Sequence, residues 1–448
     1  MSSRTYGSCR ATQSSFANAL ALAVALLVMT AEGSAAQTVT SGGLFGATRN
    51  DAGGRERLNL QLTMAGAFDS DVPPEFQSVA GRNDLLVGNR SALVAGSTRF
   101  ERNRHSVQLF GSAATTFRYV QQLDQIAMGS QQGRLGLTFR LPRQGNLEVT
   151  QAGAYSPSYF YDLLPAVIPQ PPGEAVPGNP QYQIDQTESM IYTTKTALTF
   201  GSARGTRLTT TAEYGYINYK NRTIGLPDRA TYTVVTRLSK AVSRKLVVSA
   251  GYDYEAGEVG VDALAVTHRV TMGVEYSPPL SLTRRLTFRL ELSPSVFQVP
   301  ESALPSVADG KVYPMQGEAS VEYPFHLKWR VHAGFRRSVD YVSGMNEPVL
   351  ADGARVGLIG LVSRRVDVSA LAGYANAVSV ITRETRNYST YVGEVRLRYA
   401  LARSLAVYSE YVYYNYNLAE QARAAGVPAA YQQHGIRAGV MIFSQPLK

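Results

Sequence analysis

The chain has 448 residues, 44% of them hydrophobic, and 44 Lys plus Arg against 34 Asp plus Glu give a formal net charge of +10. Its single cysteine, Cys9, excludes an internal disulfide or a thiolate metal site, and 27 Tyr with 39 Gly against only 17% charged residues suit strands that are apolar on one side and wet on the other. A basic balance can serve nucleic acid, but the N-terminus predicts export, so a polyanionic surface or solute is the expected counterpart and no nucleic acid is expected.

Arg4 and Arg10 precede the apolar run 19–31 (ALALAVALLVMTA), which is followed by Gly33, Ser34, Ala35 and Ala36. This is the layout of a secretory signal peptide cut near Ala36, because the run is shorter than the roughly 20 residues that span a bilayer as a helix. Residues 1–36 are therefore read as the signal, 37–54, rich in Gly, Ser and Thr, as a loose periplasmic lead, and 55–448 as one domain. No later apolar stretch approaches helical spanning length, so membrane crossing would have to use strands.

From residue 57 onward the hydrophobic period is two. Leu58, Leu60, Leu62 and Met64 share one face of a first strand, 57–68. Eight pairs follow, joined by short turns: 92–100 with 107–119, 135–140 with 147–155, 192–200 with 208–219, 231–238 with 246–254, 266–276 with 286–297, 312–323 with 329–342, 355–362 with 366–375, and the two arms of 388–416. A last strand covers 434–443. The 388–416 hairpin shows the pattern best. Tyr391, Gly393, Val395, Leu397 and Tyr399 alternate with Val392, Glu394, Arg396 and Arg398, and the return arm sets Leu405, Val407, Tyr411 and Tyr413 against Ala406, Glu410 and Tyr414.

Segments such as 156–190 (with PAVIPQPPGEAVPGNPQ), 255–265, 300–311 and 417–431 separate the pairs, so brief and lengthy connections alternate. This sorting predicts an all-β fold, a transmembrane antiparallel up-and-down β-barrel of about 18 strands (16–20), with short periplasmic turns and longer extracellular loops.

In such a barrel the rows Leu135/Leu137/Phe139, Leu286/Phe288/Leu290/Leu292, Val270/Met272/Val274 and Ile436/Ala438/Val440/Ile442 face lipid. Tyr119, Tyr155, Tyr219, Tyr254, Tyr276, Tyr323, Tyr374 and Tyr399 recur near strand ends, where an interfacial girdle would place them. The opposite rows carry Arg118, Arg134, Arg140, Lys195, Arg237, Arg269, Arg289, Arg330, Arg336, Arg396, Arg398 and Arg437, joined by Glu213, Glu275, Glu291, Glu318, Glu322, Asp340 and Glu394. Charge at that density belongs on a water-lined wall, and the arginines are the candidate lumen-lining, solute-binding residues. Two arrangements satisfy the pattern: an Arg-rich channel favouring anions, or a salt-bridge lattice bracing a closed or plugged barrel.

Five scattered His (His105, His268, His326, His332, His434) lack metal-site spacing, and no GxSxG elbow occurs. No metal or other cofactor and no catalytic residue is expected. The remaining enzymatic alternative is a barrel hydrolase with a His and a Ser on adjacent outward strands.

Repeated hairpins of the form Glu275-Tyr276 … Leu280 … Arg284-Arg285-Leu286-Thr287-Phe288, Glu322-Tyr323 … Leu327-Lys328-Trp329 … Ala333-Gly334-Phe335 and Arg398-Tyr399 … Leu401 … Ser404-Leu405 resemble those of bacterial outer-membrane β-barrel porin proteins, including members found with exopolysaccharide export systems. The resemblance covers roughly residues 58–443. It implies a Gram-negative outer-membrane location, contact with outer-membrane lipid and lipopolysaccharide, handling by the barrel-assembly machinery, and polysaccharide-export components as partners. The chain departs from the usual terminal aromatic residue, since Phe443 is followed by Ser-Gln-Pro-Leu-Lys, read as a short tail beyond the last strand.

Overall fold

The computed structural model describes residues 56–70, 89–120, 125–142, 144–156, 189–202, 205–219, 228–259, 263–279, 286–299, 310–326, 328–340, 348–380, 388–418 and 430–447. The segments read as signal peptide and periplasmic lead lie outside them, as does most of the length of the long connections.

Period-two alternation becomes nineteen strands: β1 (Glu56–Asp69), β2 (Asn89–Arg104), β3 (Val107–Val120), β4 (Gln125–Leu141), β5 (Gly145–Ser156), β6 (Ser189–Gly201), β7 (Thr206–Tyr219), β8 (Arg229–Ala241), β9 (Leu246–Val259), β10 (Ala263–Tyr276), β11 (Thr287–Gln298), β12 (Lys311–Val312), β13 (Met315–His326), β14 (Trp329–Asp340), β15 (Val349–Leu361), β16 (Val366–Ser379), β17 (Tyr388–Ala402), β18 (Leu405–Leu418) and β19 (Ala430–Leu447). Apart from β12 and β13, which do not pair with each other, each pairs antiparallel with its neighbours in sequence, and β1 closes on β19. The two-residue β12 and β13 both lie along β11, so they form one stave and the wall is a closed 18-strand up-and-down barrel. No helix occurs among the described residues.

Closure satisfies every ladder group that an open sheet would leave at its edges. It depends locally on Gly439, where a Cβ would run into the Met64 carbonyl oxygen across the β1–β19 seam.

Most strand boundaries differ from the sequence-based expectation by a few residues, and three of the differences bear on the architecture. β4 begins at Gln125, ten residues before the predicted start, because a bulge between the Thr115↔Gln131 and Phe117↔Met128 pairs breaks the alternation that marks a strand. Residues 255–265 are mostly strand: β9 runs to Val259, β10 starts at Ala263, and Glu258 accepts the Ala230 amide, so this connection is brief. The expected C-terminal tail is paired, with Ser444 opposite Leu60 and Leu447 opposite Leu58, so strand pairing continues past Phe443.

The two faces separate by chemistry. Leu135, Val270, Met272, Leu290, Ile436 and Ile442 stand exposed on one face. Aromatic side chains ring it near both ends, Tyr119, Tyr192, Tyr214, Tyr232, Tyr374 and Tyr391 towards the long connections, and Tyr276, Tyr323, Phe325 and Tyr399 towards the short turns. Phe325 stacks between Tyr323 and Trp329 at 6.0 and 6.1 Å.

Candidate functional site: the charged inner wall

The opposite parity is the concave face, as its long-reach bonds show. Arg237 on β8 donates to Glu291 on β11 at 2.8 Å, passing over β9 and β10, which only converging side chains inside a closed wall can do. Gly273 leaves the floor bare there; a Cβ at that position would stand 3.2 Å from the Glu291 Cγ.

Nine of the eleven candidate arginines hold a carboxylate on this face. Arg134 approaches Glu148 at 3.7 Å, Arg289 meets Glu275 at 3.0 Å and Arg330 meets Glu322 at 3.1 Å. Arg336 binds Asp340 at 2.8 Å, and Arg269 lies between Asp253 at 3.5 Å and Glu255 at 3.3 Å. Arg398 grips Asp367 through two nitrogens, the Nε bond being 2.8 Å. Arg396 bridges Glu394 at 2.9 Å and Glu410, and Glu410 also takes Arg437 at 3.3 Å. With Arg237 these make the nine. Arg140 is exposed and donates to the His105 carbonyl at 3.4 Å. Arg118 occupies the position paired with Leu93, and its side chain lies outside the described residues.

Burial divides them. The Arg437 and Glu410 side chains are 8% and 7% exposed, and Arg269, Arg396 and Arg398 are nearly as covered, so these belong to braced lattices in the walls around β9–β11 and β16–β19. Arg134, Arg289 and Arg330 remain about half exposed, and Lys195 with Glu213 joins them. The sequence-based picture of one uniformly wet wall thus divides into dry lattice and open arc, because Ala265, Phe297, Ala375 and Thr390 on the inner parity are wholly buried. Apolar packing covers part of that wall, and a covered ion needs its partner.

Inner-wall residues missing from the expected set include Arg99, Arg207 and Arg355, and the carboxylates Glu148, Asp253, Glu255, Asp367 and Glu410. Only Arg207 and Glu255 lie beyond the predicted strand ends; the others sit on the inward parity of predicted strands, where carrying the alternation through every position finds them. Phe110 shares the inward parity of Arg118, and what alternation does not show is its contact: it packs over Gly136, with the Arg134 guanidinium 5.5 Å from its ring centre.

The outer-face histidines are arranged alike. His268 Nδ1 lies 2.7 Å from the Tyr252 hydroxyl, and His434 Nδ1 lies 2.8 Å from that of Tyr411. Ser70 is near His434, but its Oγ accepts the His434 backbone N–H at 3.0 Å, and Gln432 occupies the Nε2 side at 3.1 Å. That geometry orients a ring at a wall and does not set a base beside a nucleophile. No grouping of three metal-ligating side chains occurs among the described residues.

No protein-family model matches the chain, and no curated protein matches it. Among solved structures it is similar to OpdL of Pseudomonas aeruginosa, with 13% identity over 87% of this chain and 99% of that one at a TM-score of 0.43. OprD of Pseudomonas aeruginosa shares 10% identity over 88% and 96% of the two chains, TM-score 0.44. The FrpB iron transporter from Neisseria meningitidis shares 7% over 87% and 82%, TM-score 0.41.

Proposed function

We propose that this chain is a porin-like channel of a Gram-negative outer membrane whose open inner arc passes small anionic solutes. The observation that carries the reading is the union of a closed wall, an exposed apolar outer band and an inner arc on which Arg134, Arg140, Arg207, Arg289 and Arg330 stay accessible. Arg140 and Arg207 hold no carboxylate among the described residues, so they leave net positive potential where a solute would pass. In this reading the short turns are periplasmic, the long connections external, and the outer wall meets membrane lipid and lipopolysaccharide after delivery by the barrel-assembly machinery.

Burial of Ala265, Phe297, Ala375 and Thr390 favours a second reading, a binding or structural barrel with a partly filled lumen. Single-channel recording of the purified barrel in planar bilayers separates the two. Discrete conductance with a reversal potential on the anion side, moved towards cations by the double change Arg140→Ala and Arg207→Ala, supports the channel. A folded barrel that carries no current ends it. A link to surface polysaccharide export rests on the sequence resemblance, and such a channel would lose current when the exported polymer is added to one side.

A further inference from the structure

The apolar outer band is interrupted across β2–β5. On β10 and β11 the outward positions are Val270, Met272, Val274, Leu290 and Leu292, all exposed. On β2–β5 the same parity holds two rows of mostly small side chains in register. The row from Leu60 to Tyr192 contains Thr98, Ala113, Gly133 and Gly153, and the row from Leu62 to Met190 contains Gly96, Thr115 and Gln131. Between the rows runs a groove of about 720 Å³ that crosses seven staves, from Ile442 on β19 to Met190 on β6, with Ser97, Ala114 and Gln132 of the opposite parity along its floor. A Cβ added at Gly133 or Gly153 would meet nothing within 4 Å, so these glycines leave open space on the wall and relieve no clash within it.

The centre of the groove is polar. Thr115 lies on β3, the middle stave of the seven, and its hydroxyl is covered without a hydrogen-bond partner. Gln131, its register partner on β4, makes no side-chain hydrogen bond among the described residues. Acyl chains offer nothing to a hydroxyl or a carboxamide, so such groups on the lipid-facing wall call for a hydrogen-bonding neighbour. Bare glycine and alanine positions beside them let another backbone approach closely.

We propose that this strip is the contact between two copies of the chain, related by a two-fold axis along the membrane normal that passes close to Thr115 and Gln131. An isologous contact sets each residue near the axis against its own copy. A hydroxyl and a carboxamide each both donate and accept, so they pair with themselves where a lone carboxylate or ammonium would repel its copy. The size also fits. Seven staves at about 4.8 Å and an apolar band about 25 Å tall make a strip of roughly 800 Å², the area each partner gives to a stable contact. The inference rests on the barrel lying in a bilayer, as the proposed function has it, and needs no ion conduction.

The test uses the full barrel in phosphatidylcholine vesicles, with Cys9→Ser as the background for cysteine variants. Native mass spectrometry of the wild type should release a dimer. Gln131→Cys should be joined into a covalent dimer by a short bis-maleimide, and Leu290→Cys on the far wall should not. Gly133→Leu, whose side chain enters the open space of the groove, should run as a folded, heat-modifiable monomer, and Gly153→Leu on the next stave gives the same reading independently. A wild-type monomer, including one that carries bound lipid in place of a partner, overturns the proposal. So does a trimer, equal cross-linking of Gln131→Cys and Leu290→Cys, or a dimer that survives both leucine substitutions. Potassium chloride conductance of the same variants reads the channel separately, since a conducting monomer removes the pair and leaves the channel standing.

Discussion

At the scale of single residues, the inner wall contains two kinds of ion pair with different energetics. Glu410 is nearly dry and holds both Arg396 and Arg437, so removing its charge leaves two guanidiniums without compensation in a covered site. Glu410→Gln should destabilise the folded barrel by about 3–5 kcal/mol, the usual consequence of breaking a buried pair. Glu322, 42% exposed beside Arg330, is screened by solvent, and Glu322→Gln should cost about 0–1 kcal/mol. Urea unfolding in lipid vesicles measures both; equal losses would mean that the two sites share one dielectric environment. The distinction between them is invisible in sequence, where both are glutamates on alternating strands.

At the scale of one element, β11 tests which face meets lipid. Leu290 is on the outer face and 37% exposed, whereas its neighbour Arg289 pairs with Glu275 inside. Leu290→Arg should cost about 2–4 kcal/mol if it sits near the bilayer midplane, and should be read as lost heat-modifiability on gels and poor membrane insertion. Arg289→Ala should leave the fold intact and change ion selectivity. The same strand shows how far alternation carries: period two alone places Phe288, Leu290 and Leu292 outward, and their register partners Tyr276, Val274 and Met272 bear the same parity. β4 shows where it stops, because the bulge near its start shifts parity, and only pairing with β3 and β5 restores the count.

At the scale of the molecule, stability comes from joining the first strand to the last. Phe443 lies opposite Gln61 on the inner parity, and its amide donates to the Ser404 carbonyl, so the terminal strand is held on both sides. Removing residues 444–448 deletes the pairings at Leu58 and Leu60 and frees the short-turn end of the closing seam. The truncated chain should fold more slowly and lose its compact gel mobility at a lower temperature than the full chain. Unchanged mobility and rate would mean that closure is complete by Phe443.

The strand number, the antiparallel order and the outward rows were all legible in the sequence, since alternation is a local property that each strand carries independently of the rest. The inner arginines could also be located by that parity. Which of them are braced against Asp253, Asp367 or Glu410 and which stay open were decided only by the tertiary structure. Those outcomes depend on the register of neighbouring strands, on the packing that covers part of the lumen and, for Arg237 with Glu291, on the curvature that brings strands three staves apart within reach, and no periodicity along the chain encodes them.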